Sequence, residues 1–131
     1  MERKIVNPWT WQDQFQYVQA NRVSGAEEVL YCAGQTSVDE NGAPVHLNDM
    51  GAQVSQALDN LETVLNDAGF SLADVVRLSY YATDIDAFME AGGVLGPRLE
   101  QAGCRPASTL LGVTRLGFPG LMVELEATAV K

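Results

Sequence analysis

Two glutamates near the end of the chain are the first candidates for acid–base chemistry. Glu124 and Glu126 belong to a run in which apolar and polar side chains alternate, from Leu121 to Val130. In a strand, this alternation places both carboxyl groups on one face, opposite the apolar side chains. Half-burial there would raise the pKa of a carboxyl group toward the range useful for general acid–base catalysis. The alternative is two solvated surface carboxylates, and we expect Glu124 rather than Glu126 to lie in a cleft.

One histidine and two cysteines restrict the other kinds of site that the chain can form. His46 lies in a polar loop beside Pro44, where it is a poor candidate for a Ser-His-Asp triad. With Cys32 and Cys104 it lacks the paired spacing of a zinc site, so no metal is predicted. Cys32 lies in an apolar run and is expected to be buried. Cys104 is expected to be the more accessible thiol, either inert or slightly acidified.

The charge of the chain excludes several classes of partner. Its 131 residues carry 17 acidic and 8 basic side chains, a net charge of −9. Affinity for phosphate backbones and anionic lipids comes mainly from Lys and Arg, so neither nucleic acid nor membrane is an expected partner. No apolar stretch approaches the ~20 residues of a membrane span, and the N-terminus has no apolar signal segment. A cytoplasmic location with reduced thiols is therefore expected.

The elements that must position these residues belong to one predicted domain, residues 1–131, with no linker or repeat. Its 47% apolar residues suffice for a core without disulfides or metal. Alternation and β-branched or aromatic composition predict the strands. These are residues 15–23, 29–34, 75–82, 108–114 and 121–130.

An amphipathic helix is the clearest predicted element. Apolar residues recur at three- and four-residue spacing from Met50 to Ala68. Asn48 or Asp49 can cap its start, and Gly69 stands where a left-handed residue ends a helix.

A second helix is predicted to start near Asp84 or Asp86 and to stop at Gly103. It contains Gly92-Gly93 and Gly96-Pro97, which cost about 1 kcal/mol per Gly and about 3 kcal/mol for Pro, so we expect it to be kinked or split. Two helices cover only one face of the sheet. The other face must meet water or another subunit, which favours a homo-oligomer because Tyr31, Tyr80, Tyr81 and Met122 cannot all lie under the helices.

Six segments, in this order, resemble the RidA/YjgF family of reactive intermediate deaminases and span nearly the whole chain. They are residues 17–19, 33–35, 56–61, 84–88, 105–108 and 123–130. The resemblance implies an α+β fold of the chorismate-mutase type, with a mixed sheet, two helices on one face, and a homotrimer whose clefts lie between subunits. It also implies hydrolysis of enamines and imines such as 2-aminoacrylate, without metal or cofactor.

The resemblance assigns roles to particular residues. In the family, a tyrosine and a glutamate position water and move protons around the imine carbon, and these match Tyr17 and Glu124. The glycine of a small-Gly-Gln motif matches Gly34, and the pocket aromatic matches Phe88. Without the resemblance, Tyr17 would equally be read as a packing aromatic.

The family's substrate-binding arginine is missing. Its Pro-Ala-Arg-Ser motif is Pro106-Ala107-Ser108-Thr109 here, so Ser108 replaces a guanidinium that grips the substrate carboxylate through two hydrogen bonds. Losing both would weaken binding of an α-imino acid by roughly a hundredfold or more. Arg105 is not expected to compensate, since three residues along a strand is about 10 Å and an odd offset points to the opposite face. Leu110 replaces a cysteine that often follows the arginine. Ser108 either fills space in the strand or widens the pocket for a larger or neutral ligand.

Two functions follow as alternatives. The first is an enzyme that acts on a small enamine, imine or related compound without needing an arginine-held carboxylate. The second is a non-catalytic trimer that binds a small molecule in the same cleft. Ribonuclease activity, a third label attached to the family, disagrees with the charge of −9 and the single remote histidine. Trp9 and Trp11 either roof a pocket or close the bottom of the core.

Overall fold

The strict alternation near the C-terminus forms the central strand of a five-stranded mixed sheet in the computed structural model, which describes residues 1–131. The strands are β1 (Glu2–Val6), β2 (Ala20–Ser24), β3 (Val29–Tyr31), β4 (Gln35–Thr36), β5 (Val75–Ala82), β6 (Ala107–Gly112) and β7 (Val123–Val130). The helices are α1 (Met50–Asp67), α2 (Ile85–Glu90) and α3 (Gly92–Gln101), with 3₁₀ turns at Trp11–Phe15 and Leu72–Asp74. The predicted α+β class with helices and a mixed sheet is confirmed.

The sheet has the order β3-β7-β5-β6, with β4 also paired to β7. β5 and β6 run parallel, while β7 is antiparallel to β5. The parallel pair needs a crossover, and α2 and α3 supply it between β5 and β6. β6 is consequently an edge strand with one side open to neighbouring segments.

Helix α1 packs on the sheet through the predicted apolar stripe. The carboxylate of Asp49 caps it by accepting a hydrogen bond from Ala52 N at 3.0 Å, and Gly69 ends it with a φ of 78°. The apolar residues of the stripe from Met50 to Leu65 are buried, whereas Ala68, its last predicted member, lies just after the helix and is exposed. Of the two capping residues predicted, Asp49 is therefore the cap.

The second predicted helix is split, as its glycines suggested. Asp84 caps α2 through Ala87 N at 3.0 Å, and α2 ends at Glu90. The break falls at Ala91, immediately before Gly92, and α3 then continues through Pro97. The two short helices pack against α1 and against each other.

The N-terminal region differs most from the prediction. Residues 15–23 do not form one strand, because the 3₁₀ turn ends at Phe15, Gln16 takes a φ of 61° and β2 starts only at Ala20. β2 instead pairs with the unpredicted β1. Arg3 ties this hairpin to the main sheet by donating to the carbonyls of Ala73, Val75 and Arg105.

Three other strands are shorter than predicted at one end. The run 29–34 is a strand only to Tyr31, β6 ends at Gly112, and β7 begins at Val123. β4, with two residues, was not predicted because so short a strand carries no alternation.

The helices cover one face of the sheet and leave the other open. Tyr80 lies on the covered face and packs on Phe88, with ring centroids 5.3 Å apart. Tyr81 and Tyr31 lie on the open face, where Tyr31 is 79% exposed. Tyr81 Oη donates to Glu126 Oε1 at 3.0 Å on that face. The predicted division of the tyrosines between two faces is thus confirmed.

None of the helices combines the length and the apolar composition that a membrane crossing requires. The cytoplasmic location stays a prediction.

Candidate functional site

A cavity of about 470 Å³ opens beside β6, between the 3₁₀ turn Trp11–Phe15 and helices α2 and α3. Its volume is that of a typical small-molecule site. Eight of its 13 lining residues are hydrophobic. The lining consists of Trp11, Gln14, Phe15, Gln16, Tyr17, Tyr80, Phe88, Met89, Gly92, Leu95, Gly96, Ser108 and Leu110.

Four of the six predicted site residues meet at this cavity: Tyr17, Phe88, Ser108 and Leu110. Ser108 and Leu110 share one face of β6 because they are two residues apart in a strand. Val18 N donates to Pro106 O at 2.9 Å, which holds the segment after the 3₁₀ turn against the start of β6. This backbone contact brings Tyr17 to the same wall as Ser108.

The Ser108 hydroxyl is the one buried side-chain polar atom of the protein without a hydrogen-bond partner. The buried phenol of Tyr80 lies near it, since the two residues occupy neighbouring positions on the covered face of β5 and β6. Burial raises the pKa of Tyr80 far above its usual range, and the neighbouring Ser108 hydroxyl acts in the opposite direction. The phenol therefore remains a neutral donor beside an unsatisfied hydroxyl.

Glu124 and Gly34 lie together on the open face of the sheet. Glu124 pairs with Thr36 of β4 on one side and with Tyr81 of β5 on the other. Its carboxylate covers Gly34 so closely that a Cβ at position 34 would overlap it. Burial, and secondly the charge of Glu126, raise the pKa of Glu124. The direction is the one predicted for a half-buried carboxyl group in a cleft.

One chain does not bring Glu124 and Gly34 to the cavity. Tyr80 points to the covered face and Tyr81, its neighbour in sequence, to the open face with Glu124. The sheet therefore separates the Glu124 carboxyl group from Ser108 of the same chain.

Cys104 corrects one prediction. Its side chain is only 2% exposed, and burial raises the pKa of its thiol to about 12, with Arg3 opposing the shift. The expected accessibility of this thiol is thus wrong, because the segment before β6 is covered by the β1–β2 hairpin. Of the two alternatives for its reactivity, the raised pKa agrees with an inert thiol rather than an acidified one. Cys32 is buried, as expected, and burial raises the pKa of its thiol.

Arg105 lies before the start of β6, so the strand geometry used for its prediction does not apply. It lines a separate polar hollow of about 100 Å³ with Asp13, Gln16, Tyr17 and Cys104. It does not line the main cavity. The cavity wall accordingly has no guanidinium.

Several lining residues were not predicted from the sequence. Tyr80, Phe15, Met89 and Leu95 have the pattern of ordinary core residues and gave no separate signal. The sequence allows two roles for Trp11, at the roof of a pocket or at the bottom of the core. It lines the cavity, edge-on to Tyr17 with centroids 6.2 Å apart.

Trp9, by contrast, is 59% exposed and does not reach the cavity. His46 lies in the loop before α1 with a φ of 60°, away from the cavity wall. No three His, Cys, Asp or Glu side chains lie together as a metal-binding group.

Comparisons with known proteins agree with the fold over most or all of the length of the chain. The family model described as Endoribonuclease L-PSP matches residues 12–131. A RutC family protein of Aquifex aeolicus is 31% identical over 116 residues, 88% of each chain. The Rid family protein YyfB of Yersinia pestis is 34% identical, with a TM-score of 0.87 over both full chains. The structure of TdcF from E. coli with bound serine is 25% identical, with a TM-score of 0.71 over 88% of this chain and 87% of TdcF.

Proposed function

The chain belongs to the Endoribonuclease L-PSP family, also known as RidA/YjgF, and on this premise we propose that it hydrolyses a small enamine or imine. The observation that carries the proposal is the cavity where Tyr17 and Ser108 meet. Both lie at positions that the family uses for its substrate. The proposed substrate differs from that of an arginine-bearing member, because no guanidinium is present to hold a carboxylate.

The proposed reaction adds water across the C=N bond. The water oxygen bonds to the imine carbon while one water proton passes to the nitrogen, which gives a carbinolamine. The remaining hydroxyl proton then passes to the nitrogen as the C–N bond breaks and the C=O bond forms. The products are a carbonyl compound and ammonia. A carboxyl group with a raised pKa, such as Glu124, suits both proton transfers because it can give a proton to nitrogen and take one from water. Tyr17 would orient the substrate at the cavity wall.

A shared site between subunits is part of this proposal. Glu124 and Gly34 lie on the face of the sheet opposite the cavity, so one chain alone cannot use both. A second copy can supply its open face to the cavity of the first, and a closed ring of three repeats this contact. Light scattering should then give three times the 14.2 kDa chain mass, about 43 kDa. A mass near 14 kDa would contradict the proposed assembly.

The test is ammonia release from 2-aminoacrylate and from a neutral aromatic N–H imine, which an amine oxidase forms in place by oxidising benzylamine with O₂. We expect the wild type to hydrolyse the neutral imine, and Ser108→Arg to gain roughly a hundredfold on 2-aminoacrylate. Glu124→Gln should lose activity on both substrates. If no protein turns over either substrate, the catalytic proposal is wrong.

The second candidate is a non-catalytic binding protein, which is favoured by the missing arginine. Ligand binding that is unaltered in Glu124→Gln, without turnover in any variant, would support it. Ribonuclease activity receives no support here, because the chain has a net charge of −9 and no positively charged side chain lines the cavity.

A further inference from the structure

The part of the cavity wall that one chain contributes has no formal charge. None of its 13 lining residues is Asp, Glu, Lys, Arg or His, and the polar members are hydroxyl or amide groups. Five of the lining side chains are aromatic: Trp11, Phe15, Tyr17, Tyr80 and Phe88. An anion that entered this cavity would lose its hydration without gaining a counter-charge, which is costly in an apolar site. A flat, uncharged body would instead gain contacts with the rings.

Two hydroxyl groups distinguish one wall from the rest. Ser108 Oγ is inaccessible to solvent and has no hydrogen-bond partner, an arrangement that folded proteins generally avoid. Tyr80 is 6% exposed and presents its phenol beside it on the neighbouring strand. Each hydroxyl can both donate and accept a hydrogen bond. Most of the surrounding lining is apolar or aromatic, and Gln14, Gln16 and Tyr17 carry its other polar groups.

We infer that the cavity selects a neutral, ring-containing ligand with a single hydrogen-bonding group, which the hydroxyls of Ser108 and Tyr80 recognise. Tyr80 is thereby a specificity-determining residue. The inference rests on the proposed function only in taking this cavity as the ligand site. It requires no catalysis and no second subunit.

Three small aromatic probes, phenol, toluene and benzoate, separate the effect of a hydrogen-bonding group from the effect of a negative charge. Affinities are measured with the full-length chain by ligand-detected NMR titration. Phenol should bind about five- to tenfold more tightly than toluene, since one hydrogen bond is gained by an otherwise unsatisfied hydroxyl. Benzoate should bind at least about tenfold more weakly than phenol, because its charge has no partner.

The variants test which residues cause this order. In Ser108→Ala combined with Tyr80→Phe, the preference for phenol over toluene should largely disappear, because the two buried hydroxyls are gone and only Tyr17, Gln14 and Gln16 keep polar groups in the lining. Thr109→Ala is the matched control, since Thr109 lies on the opposite face of β6, where Arg77 donates to its hydroxyl at 3.1 Å. It should keep the wild-type order.

The outcomes separate this inference from the proposed enzyme activity. Benzoate binding as tight as phenol binding, or a phenol preference that survives in the double variant, would overturn the inference even if imines are hydrolysed. The predicted order without hydrolysis of any imine would support the inference and contradict the enzyme proposal.

Discussion

Ser108 affects the cavity in two ways: it brings no positive charge, and it brings a small hydroxyl group. A family arginine would bring a charged, forked donor to this wall, whereas Ser108 leaves one neutral hydroxyl without a partner. The motif around it could be recognised from the sequence, as could Tyr17, Phe88 and Leu110. Tyr80 could not, because the adjacent residues Tyr80 and Tyr81 look alike until the pairing with β7 decides which one points under the helices.

The carboxyl group of Glu124 should give the protein a measurable pH dependence. Its folded-state pKa is raised, so its favourable contribution to the free energy of unfolding is full below the unfolded pKa and is lost as pH rises through the folded value. The free energy of unfolding of the wild type, relative to that of Glu124→Gln, should therefore fall as the pH rises from about 4 upward. Urea denaturation of both proteins across that range measures it. Glu126→Gln should make this fall smaller, because it removes the charge that repels the Glu124 carboxylate. If the wild type instead gains stability relative to Glu124→Gln as the pH rises, the raised pKa of Glu124 is refuted.

Gly34 should matter for activity more than for folding. In Gly34→Ala, the new Cβ would displace the flexible Glu124 carboxyl group rather than backbone. We expect imine hydrolysis to fall by about tenfold, as when a catalytic group loses its position. Gly93→Ala is the control, because nothing lies within 4 Å of the Cβ that it adds. This helix substitution should keep full activity and stabilise the protein by about 0.5 to 1 kcal/mol.

At the scale of elements, prediction succeeded where a pattern was long. α1, β5 and the alternation of β7 follow directly from periodicity, because each buries a repeated apolar face. β1 and the start of β2 were missed since their five-residue runs gain their pairing from each other, across a segment that turns through Gln16. The observed strand ends also differ from the predicted ones, because the available pairing partners, rather than composition, decide where the hydrogen bonding between two strands stops.

A buried glutamine holds α1 to the loops around it. Gln53 Nε2 donates to His46 O at 3.2 Å and to Gly120 O at 2.9 Å, while its Oε1 accepts from Met122 N at 2.8 Å. Gln53→Leu keeps the approximate volume but leaves three backbone groups unpaired, so we expect a loss of about 2 to 4 kcal/mol. Urea denaturation measures the loss. Gln53→Glu keeps the acceptor for Met122 N but turns a carboxylate oxygen toward two carbonyl oxygens in a fully buried site, so at neutral pH it should destabilise at least as much as Leu. A Leu variant as stable as the wild type would contradict this role.

At the scale of the whole molecule, one face of the sheet is not covered by any element of the single chain. It presents Tyr31 at 79% exposure beside the half-buried Glu124. The sequence indicated that such a face needs water or a partner, but the arrangement of subunits depends on contacts between chains and cannot be obtained from one chain's periodicity. The trimer accordingly stays a proposal, and it makes the site a joint product of two subunits.

Mixed trimers test that central claim most directly. Tyr17→Phe and Glu124→Gln chains are refolded together in equal amounts and assayed on the imine that the wild type hydrolyses fastest. If Tyr17 comes from one subunit and Glu124 from its neighbour, about one quarter of the clefts in random trimers contain both residues, and about a quarter of wild-type activity should return. Activity no higher than that of the separate variants would contradict a site shared between subunits.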